Sequence, residues 1–129
     1  MNQTTWAKKI FAVTLFVEDL EACKAFYQKI FDLPPSFEDP HSAVFKFGNL
    51  IINLLNVKEA PELINPASVA AADAGSRFVI SIPVDDVDAV CERLRTRGIK
   101  LLNGPMDRPW GPRTASFKDP AGYIWEIAN

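Results

Sequence analysis

Histidine, the commonest general base of enzymes, is scarce in this chain of 129 residues. His41 is the single histidine and lies in a polar loop, where it is either solvated or placed beside a ligand cavity. Serines such as Ser81 and Ser116 have no histidine at a spacing that suggests an activated nucleophile. Phosphate-binding loops, dinucleotide glycine motifs, nucleophile elbows and HExxH motifs are absent from the sequence. Nucleophilic catalysis therefore has no support.

Trp110 lies between Pro109 and Gly111, in an irregular segment where no strand core needs a large aromatic ring. One interpretation is a packing lid over the neighbouring part of the chain. The other is a stacking wall for a planar ligand, with Arg113 nearby as a polar or cation–π contact. Both alternatives stay open at this point.

The composition bounds the kind of protein. A chain of this length with 48% hydrophobic residues can form one compact domain over residues 1–129, but not two independent ones. The net charge of −2 offers no concentrated basic field, which excludes nucleic acid as an expected partner.

Two features of the sequence indicate the cellular compartment of the protein. The apolar run over residues 10–17 is short, contains Thr14 and leads into two acidic residues, so we expect a strand rather than a signal peptide or a membrane span. Cys23 and Cys91 fall in helical patterns without a CxxC motif, which favours two reduced, buried thiols in a cytoplasmic protein.

The first half of the chain reads as one strand, one helix and three strands. Residues 9–17 predict a strand, and Asp19 is the expected N-cap of a helix over residues 20–31 that Pro34 and Pro35 prevent from continuing. A short extended piece near Phe37 precedes a hairpin of residues 43–47 and 50–56 around Gly48 and Asn49. Residues 57–76 show no sustained pattern and are interpreted as a linker.

The same order returns in the second half. Residues 77–84 predict a strand, Asp86 caps a helix that ends near Gly98, and residues 99–102, 113–118 and 123–128 predict three strands. A loop is expected over residues 104–112. Residues 13–20 align with residues 80–87 at an offset of 67.

The repeat predicts an α+β protein of two tandem βαβββ modules, one over about residues 8–56 and one over residues 77–128. Such a unit covers one sheet face with its helix and leaves the other bare. We expect the bare faces of two modules, from one chain or from two chains, to curl into a curved, partly closed mixed sheet around a cavity. Exposed sheet edges favour a homodimer.

Several motifs resemble the vicinal oxygen chelate superfamily, which includes lactoylglutathione lyase, extradiol dioxygenases, fosfomycin-modifying enzymes and bleomycin-resistance proteins. They are the Val-Glu-Asp-Leu strand end with Phe26-Tyr27, its echo Val-Asp-Asp-Val at residues 84–87, and the closing segments Trp-Gly-Pro-Arg at residues 110–113 and Asp-Pro-Ala-Gly-Tyr-Ile-Trp-Glu at residues 119–126. The resemblance covers residues 8–128, implies the glyoxalase/bleomycin resistance fold and supports a homodimer.

The resemblance also implies where enzymes of this superfamily hold a divalent metal. The histidine positions fall on Ala12 and Val79, and the late-strand positions fall on Glu126 and on Asn53, with Ile52 as the alternative for the latter. Catalytic metals need about three strong ligands. Glu126 and a neutral Asn53 are too few, so we expect no metal and no cofactor.

Strand alternation completes the expected site. If Ala12 faces the cavity, Thr14, Asn53, Val79, Ser81 and Glu126 do so as well, with Trp110 and Arg113 at its rim. Such a lining suits a flat organic ligand. Glu126 is either satisfied by a hydroxyl, water or Arg113, or it is an unpaired acid able to bind a cationic ligand or act as a general base. Trp125 alternates with Glu126 and is expected in the core.

Three functions remain open. The leading hypothesis is a metal-independent binding protein, similar to the bleomycin-resistance branch, that sequesters an aromatic or antibiotic-like molecule. The second is a lyase, isomerase or dioxygenase-like enzyme that uses Glu126 as acid or base, or an atypical metal site. The third is a regulatory or assembly module whose cavity is filled by bulky side chains such as Phe45 or Phe47.

Overall fold

In a computed structural model of the protein, the structure describes residues 5–129. The chain forms two compact units, the first ending at Val69 and the second running from Ala70 to Asn129. Each unit carries a mixed sheet of four strands, so the fold is the α+β arrangement that the repeat predicted. The predicted linker over residues 57–76 spans the boundary between the units.

In the first unit, strand β1 (Ala12–Val17) is followed by helix α1 (Leu20–Phe31) and by strands β2 (Phe37–Asp39), β3 (Ser42–Phe47) and β4 (Leu50–Asn56). The strand order is β1-β4-β3-β2, with β1 parallel to β4 and the other pairs antiparallel. The predictions for α1 and β4 match the observed bounds, because capping, alternation and turn residues are local signals.

The core of the first unit lies between α1 and one face of its sheet. Side chains of alternate strand positions and of one helix stripe are buried there, including Leu15, Val17, Tyr27, Phe45, Ile52 and Leu54. The rings of Tyr27 and Phe45 lie 5.3 Å apart, as do those of Phe31 and Phe47. Both Phe45 and Phe47 therefore pack towards α1, and neither fills the opposite face of the sheet.

The segment after β4 holds more order than the linker interpretation foresaw. A turn of 3₁₀-helix at Val57–Glu59 leads into the short helix α2 (Ala60–Ile64). Pro61 is compatible with this helix because it lies in the first turn, where the missing N–H has no helical partner to lose. The sequence pattern did not predict α2, because a helix of five residues is too short to show a hydrophobic periodicity.

In the second unit, strand β5 (Val79–Pro83) is followed by helix α3 (Val87–Thr96) and by strands β6 (Asn103–Asp107), β7 (Arg113–Lys118) and β8 (Ile124–Ala128). The order β5-β8-β7-β6 repeats the topology of the first unit, with β5 parallel to β8. The aspartate caps repeat as well. Asp19 accepts a hydrogen bond from the Ala22 amide and Asp86 from the Ala89 amide, each at 3.0 Å.

The core of the second unit is formed by α3 and one face of its sheet. Val87, Cys91, Leu94, Ala115, Phe117, Trp125 and Ile127 are buried there. Cys23 and Cys91 are buried thiols that form no disulfide within residues 5–129, and burial raises the pKa of the Cys91 thiol. Trp125 is a core residue, as its alternation with Glu126 predicted.

The prediction for the sixth strand was wrong in position. Residues 99–102 are not a strand, and β6 lies instead in the segment expected to be a loop. Because β6 is the edge strand, Pro105 removes no hydrogen bond from a central ladder. Gly104 has φ +86, and a Cβ there would lie 2.5 Å from the Thr114 carbonyl oxygen. Glycine and proline mark a bulged edge strand here, not a loop.

Within residues 5–129, no helix is both long enough and apolar enough to cross a bilayer. The longest is α1, with 12 residues.

Candidate functional site

The carboxylate of Glu126 is oriented by a hydroxyl group. Glu126 lies on β8 directly beside Ser81 on the parallel strand β5, and Ser81 Oγ donates a hydrogen bond to Glu126 Oε1 at 2.8 Å. Trp125 and Ile127, on either side of Glu126, are buried on the α3 side. Alternation therefore places Glu126 and Ser81, together with Val79, on the face of the sheet opposite α3. We call this the Glu126 face.

The first unit carries a related pair. Thr14 on β1 is beside Asn53 on the parallel strand β4, and Asn53 Nδ2 lies 3.4 Å from Thr14 Oγ1. Ala12 lies on the same face, two residues before Thr14. Ile52 is only 1% exposed and belongs to the α1 core. Of the two alternatives that the sequence left open, Asn53 is thus the residue that corresponds in topology to Glu126.

The Glu126 face extends further across the sheet than the sequence indicated. Ser116 on β7 is the antiparallel neighbour of Glu126, and Asn103 on β6 is the neighbour of Ser116. Directly opposed residues point to the same face, so Ser81, Glu126, Ser116 and Asn103 form a polar row across all four strands. Ser116 and Asn103 were not among the predicted site residues, because their partners are set by register.

Arg113 has a different role from the one expected. It alternates with Thr114 and so lies on the α3 face of β7, where its guanidinium donates to Asp88 at 2.9 Å and to Asp107 at 3.1 Å. Hydrogen bonds to Asp88 and then to Asp107 raise the pKa of Arg113. These two carboxylates hold the side chain on the α3 face, so the structure does not bring it to Glu126 or to Trp110.

The arginine beside Trp110 is Arg108. Its guanidinium carbon lies 5.8 Å from the centre of the Trp110 ring, within the range of a cation–π contact. Arg108 Nε donates to Thr114 Oγ1 at 2.8 Å and Nη2 donates to Asn103 Oδ1 at 3.0 Å. Thr114 shares the Glu126 face with Ser116, so Arg108 lies at the β6 edge of that face.

Trp110 is 72% exposed, so it is not a core residue. The loop that carries it is closed by two backbone hydrogen bonds, from the Arg108 amide to the Pro112 carbonyl at 2.8 Å and from the Gly111 amide to the Arg108 carbonyl at 3.0 Å. A tight turn of this kind holds the indole and the Arg108 guanidinium close together. Arg108 was not predicted as a site residue, because no periodic pattern in its segment indicated a strand.

The closing Asp-Pro-Ala-Gly turn is structural. The Asp119 carboxylate is buried and accepts hydrogen bonds from the amides of Ala121 and Tyr123, both at 3.0 Å. Trp125 Nε1 donates to its other oxygen at 3.4 Å. This aspartate fixes the entry into β8 and thereby the register that sets Glu126 beside Ser81.

His41 lies at the tip of the β2–β3 turn with its side chain 61% exposed. Its amide donates to Asp39 Oδ1 at 2.8 Å, and its Nδ1 is 4.0 Å from Glu59 Oε2. These contacts are typical of a solvated loop histidine.

The residues present do not fit a divalent metal ion. Ala12 and Val79 have no donor atoms in their side chains, and Asn53 offers only an amide. Across residues 5–129, no group of three or more His, Cys, Asp or Glu side chains lies close enough to hold an ion. A catalytic divalent site needs about three such ligands.

Comparison with known proteins gives a family match over residues 9–127, to the model described as the Glyoxalase/Bleomycin resistance protein/Dioxygenase superfamily. Among curated proteins, the chain is 31% identical to the uncharacterized protein YraH of Bacillus subtilis, over 92% of this chain and 96% of YraH.

Comparison with solved structures also finds proteins of similar fold. A glyoxalase/bleomycin resistance protein/dioxygenase from Nocardioides superposes with a TM-score of 0.86 at 28% identity, over 97% of this chain and 85% of that one. A lactoylglutathione lyase from Agrobacterium tumefaciens superposes with a TM-score of 0.75 at 25% identity, over 94% of this chain and 92% of that one.

Proposed function

Given that this chain belongs to the Glyoxalase/Bleomycin resistance protein/Dioxygenase superfamily, we propose that it sequesters a small, planar organic molecule on the Glu126 face without a metal ion. The observation that carries the proposal is the hydrogen bond from Ser81 to Glu126, which orients one carboxylate on an otherwise uncharged stretch of β5 and β8. An aromatic or antibiotic-like ligand is the class that such a surface suits.

The oriented carboxylate supports binding because its orientation is fixed before a ligand arrives. Ser81 occupies Oε1, and Oε2 has no hydrogen-bond partner among residues 5–129, which leaves it to accept from a ligand. Val79 on the same face is 49% exposed and supplies apolar contact area. Small-molecule sites combine apolar area with a few placed polar groups in this way.

The test is a thermal-shift screen of planar natural products, followed by titration with tryptophan fluorescence. Binders are expected to raise Tm and to quench the emission of exposed Trp110. Trp110→Phe should remove the quenching, whereas Trp6→Phe, which replaces another exposed indole, should leave it intact. EDTA should have no effect, and loss of binding on chelation would overturn the proposal.

A second candidate function is metal-free proton transfer by Glu126. The specific observation in its favour is again Ser81, because a hydroxyl that holds Oε1 leaves Oε2 positioned to take a proton from a bound molecule. The similarity to a lactoylglutathione lyase makes a lyase or isomerase reaction the type to examine.

Deuterium exchange separates the two functions. Binders from the screen would be incubated with the protein in D₂O and EDTA, and exchange of carbon-bound protons followed by NMR. Enzymatic proton transfer requires exchange that Glu126→Gln abolishes even at ligand concentrations that saturate the variant. If the wild type exchanges no carbon-bound proton of any binder, proton transfer is excluded and binding is the function that remains.

A further inference from the structure

Within residues 5–129, Arg108 is a cation without a carboxylate partner. Its two side-chain hydrogen bonds go to neutral oxygens, those of Thr114 and Asn103. No acidic side chain forms an ion pair with it anywhere in the part of the chain from Thr5 onward, and Nη1 has no hydrogen bond there. Arg113, five residues later, shows the contrast, since Asp88 and Asp107 neutralise it.

The two neutral contacts hold Arg108 in one place. Nε and Nη2 are engaged by residues on β7 and β6, and the guanidinium lies near the ring of Trp110. A guanidinium fixed on one edge retains donors on the other, which is the geometry that binds a carboxylate or similar anion. Little side-chain entropy is then lost when an anion binds.

Glu126 is the complementary charge on the same face. Along the polar row, Glu126 on β8 is separated from Asn103 on β6 by Ser116 alone. Two strand spacings amount to about 10 Å, and Arg108 lies over the β7–β6 part of this span, because Nε donates to Thr114 on β7 and Nη2 donates to Asn103 on β6. Among residues 5–129, an acid without a basic partner and a base without an acidic partner thus lie about 10 Å apart.

We propose that Arg108, supported by Trp110, is the anion anchor of the ligand site, and that the ligand is a planar molecule with a cationic group at Glu126 and an anionic group at Arg108. This inference rests on the proposed binding function and specifies its ligand class. The opposite charges of the two residues favour a bipolar molecule over a neutral or singly charged one.

The experiment uses three matched probes measured by isothermal titration calorimetry. They are 4-(aminomethyl)benzoate, its primary amide, which lacks the anion, and 4-methylbenzoate, which lacks the cation. For the wild type we expect the bipolar probe to bind at least about tenfold more tightly than either of the others, because each lost charge removes one charge-assisted hydrogen bond.

Variants show which residue binds the anionic group and which binds the cationic group of the probe. In Arg108→Gln the bipolar probe and its amide should bind equally, while Glu126→Gln should abolish the preference for aminomethyl over methyl. Arg93→Gln removes the same charge from the exposed surface of α3 and should keep both preferences. The comparison of acid with amide in the wild type needs no variant, so a poorly folded Arg108→Gln does not affect the test.

The outcomes separate this inference from the function on which it rests. If all three probes bind the wild type with equal affinity, the binding function stands and the anion anchor is overturned. The anchor is also overturned if Arg108→Gln keeps the preference for the acid. If no planar molecule, charged or neutral, binds the wild type, both proposals fail.

Discussion

Ser81 and Glu126 are opposite residues of two parallel strands, joined by a hydrogen bond of 2.8 Å from the serine hydroxyl to the carboxylate. Thr14 and Asn53 occupy the corresponding positions of the first unit. Both units thus place a hydroxyl beside the fourth-strand polar residue, but only the second unit makes that residue an acid. This difference concentrates the candidate chemistry in the second unit.

The orienting role of Ser81 can be measured directly. Ser81→Ala should weaken binding of a cationic ligand about three- to tenfold, because Glu126 then samples several rotamers before binding. Ser81→Thr keeps a hydroxyl on a strand-favouring side chain and should restore the affinity. Calorimetry with the screened binders checks both. Equal affinity of Ser81→Ala and the wild type would contradict the orienting role.

Substitution of Gly104 should destabilise the protein more than substitution of other glycines with positive φ. Gly104→Ala combines φ +86 with a Cβ at 2.5 Å from the Thr114 carbonyl oxygen, and we expect a loss of about 3 kcal/mol or more in the free energy of unfolding. Gly48→Ala, with φ +64 and open space around the Cβ, should cost only about 1–2 kcal/mol. Urea denaturation compares the two, and equal losses would argue against the close approach of β6 to β7.

Asp119 should be among the most costly aspartates to replace. Asp119→Ala leaves the amides of Ala121 and Tyr123 and the indole of Trp125 without their acceptor, and we expect a loss of about 2–4 kcal/mol in unfolding free energy. Asp73→Ala, an exposed loop aspartate, serves as the matched control and should change stability by less than about 0.5 kcal/mol. A small effect at Asp119 would show that the turn holds without its side chain.

Asp39 should make stability depend on acid pH. The hydrogen bond from the His41 amide lowers the pKa of Asp39 below its ordinary value of 3.8, with a further contribution from Ser42. A lowered folded-state pKa stabilises the protein above the unfolded pKa, and this stabilisation is lost as the pH falls through the folded pKa. The difference in urea midpoint between wild type and Asp39→Ala should therefore shrink as the pH falls below about 4. A pH-independent difference would contradict this role, with Asp73→Ala again as control.

Much of the fold was determined by the sequence alone, because its signals are local. The aspartate caps before α1 and α3 and the alternation of β4 and β7 act within a few residues, and the repeat at an offset of 67 compares equivalent segments. Alternation likewise predicted that Thr14, Ser81 and Glu126 face away from the buried positions beside them. These predictions needed no knowledge of strand partners.

What only the tertiary structure decided depends on register between distant strands. Ser116 and Asn103 join Glu126 because β7 and β6 pair at one register, and a shift of one residue would turn them to the other face. The register also places Arg113 on the α3 face, where it binds Asp88. The arginine that contacts the Trp110 ring is therefore Arg108. Local patterns predict which residues share a face of one strand. The pairing of distant strands decides which of those residues become neighbours across the sheet.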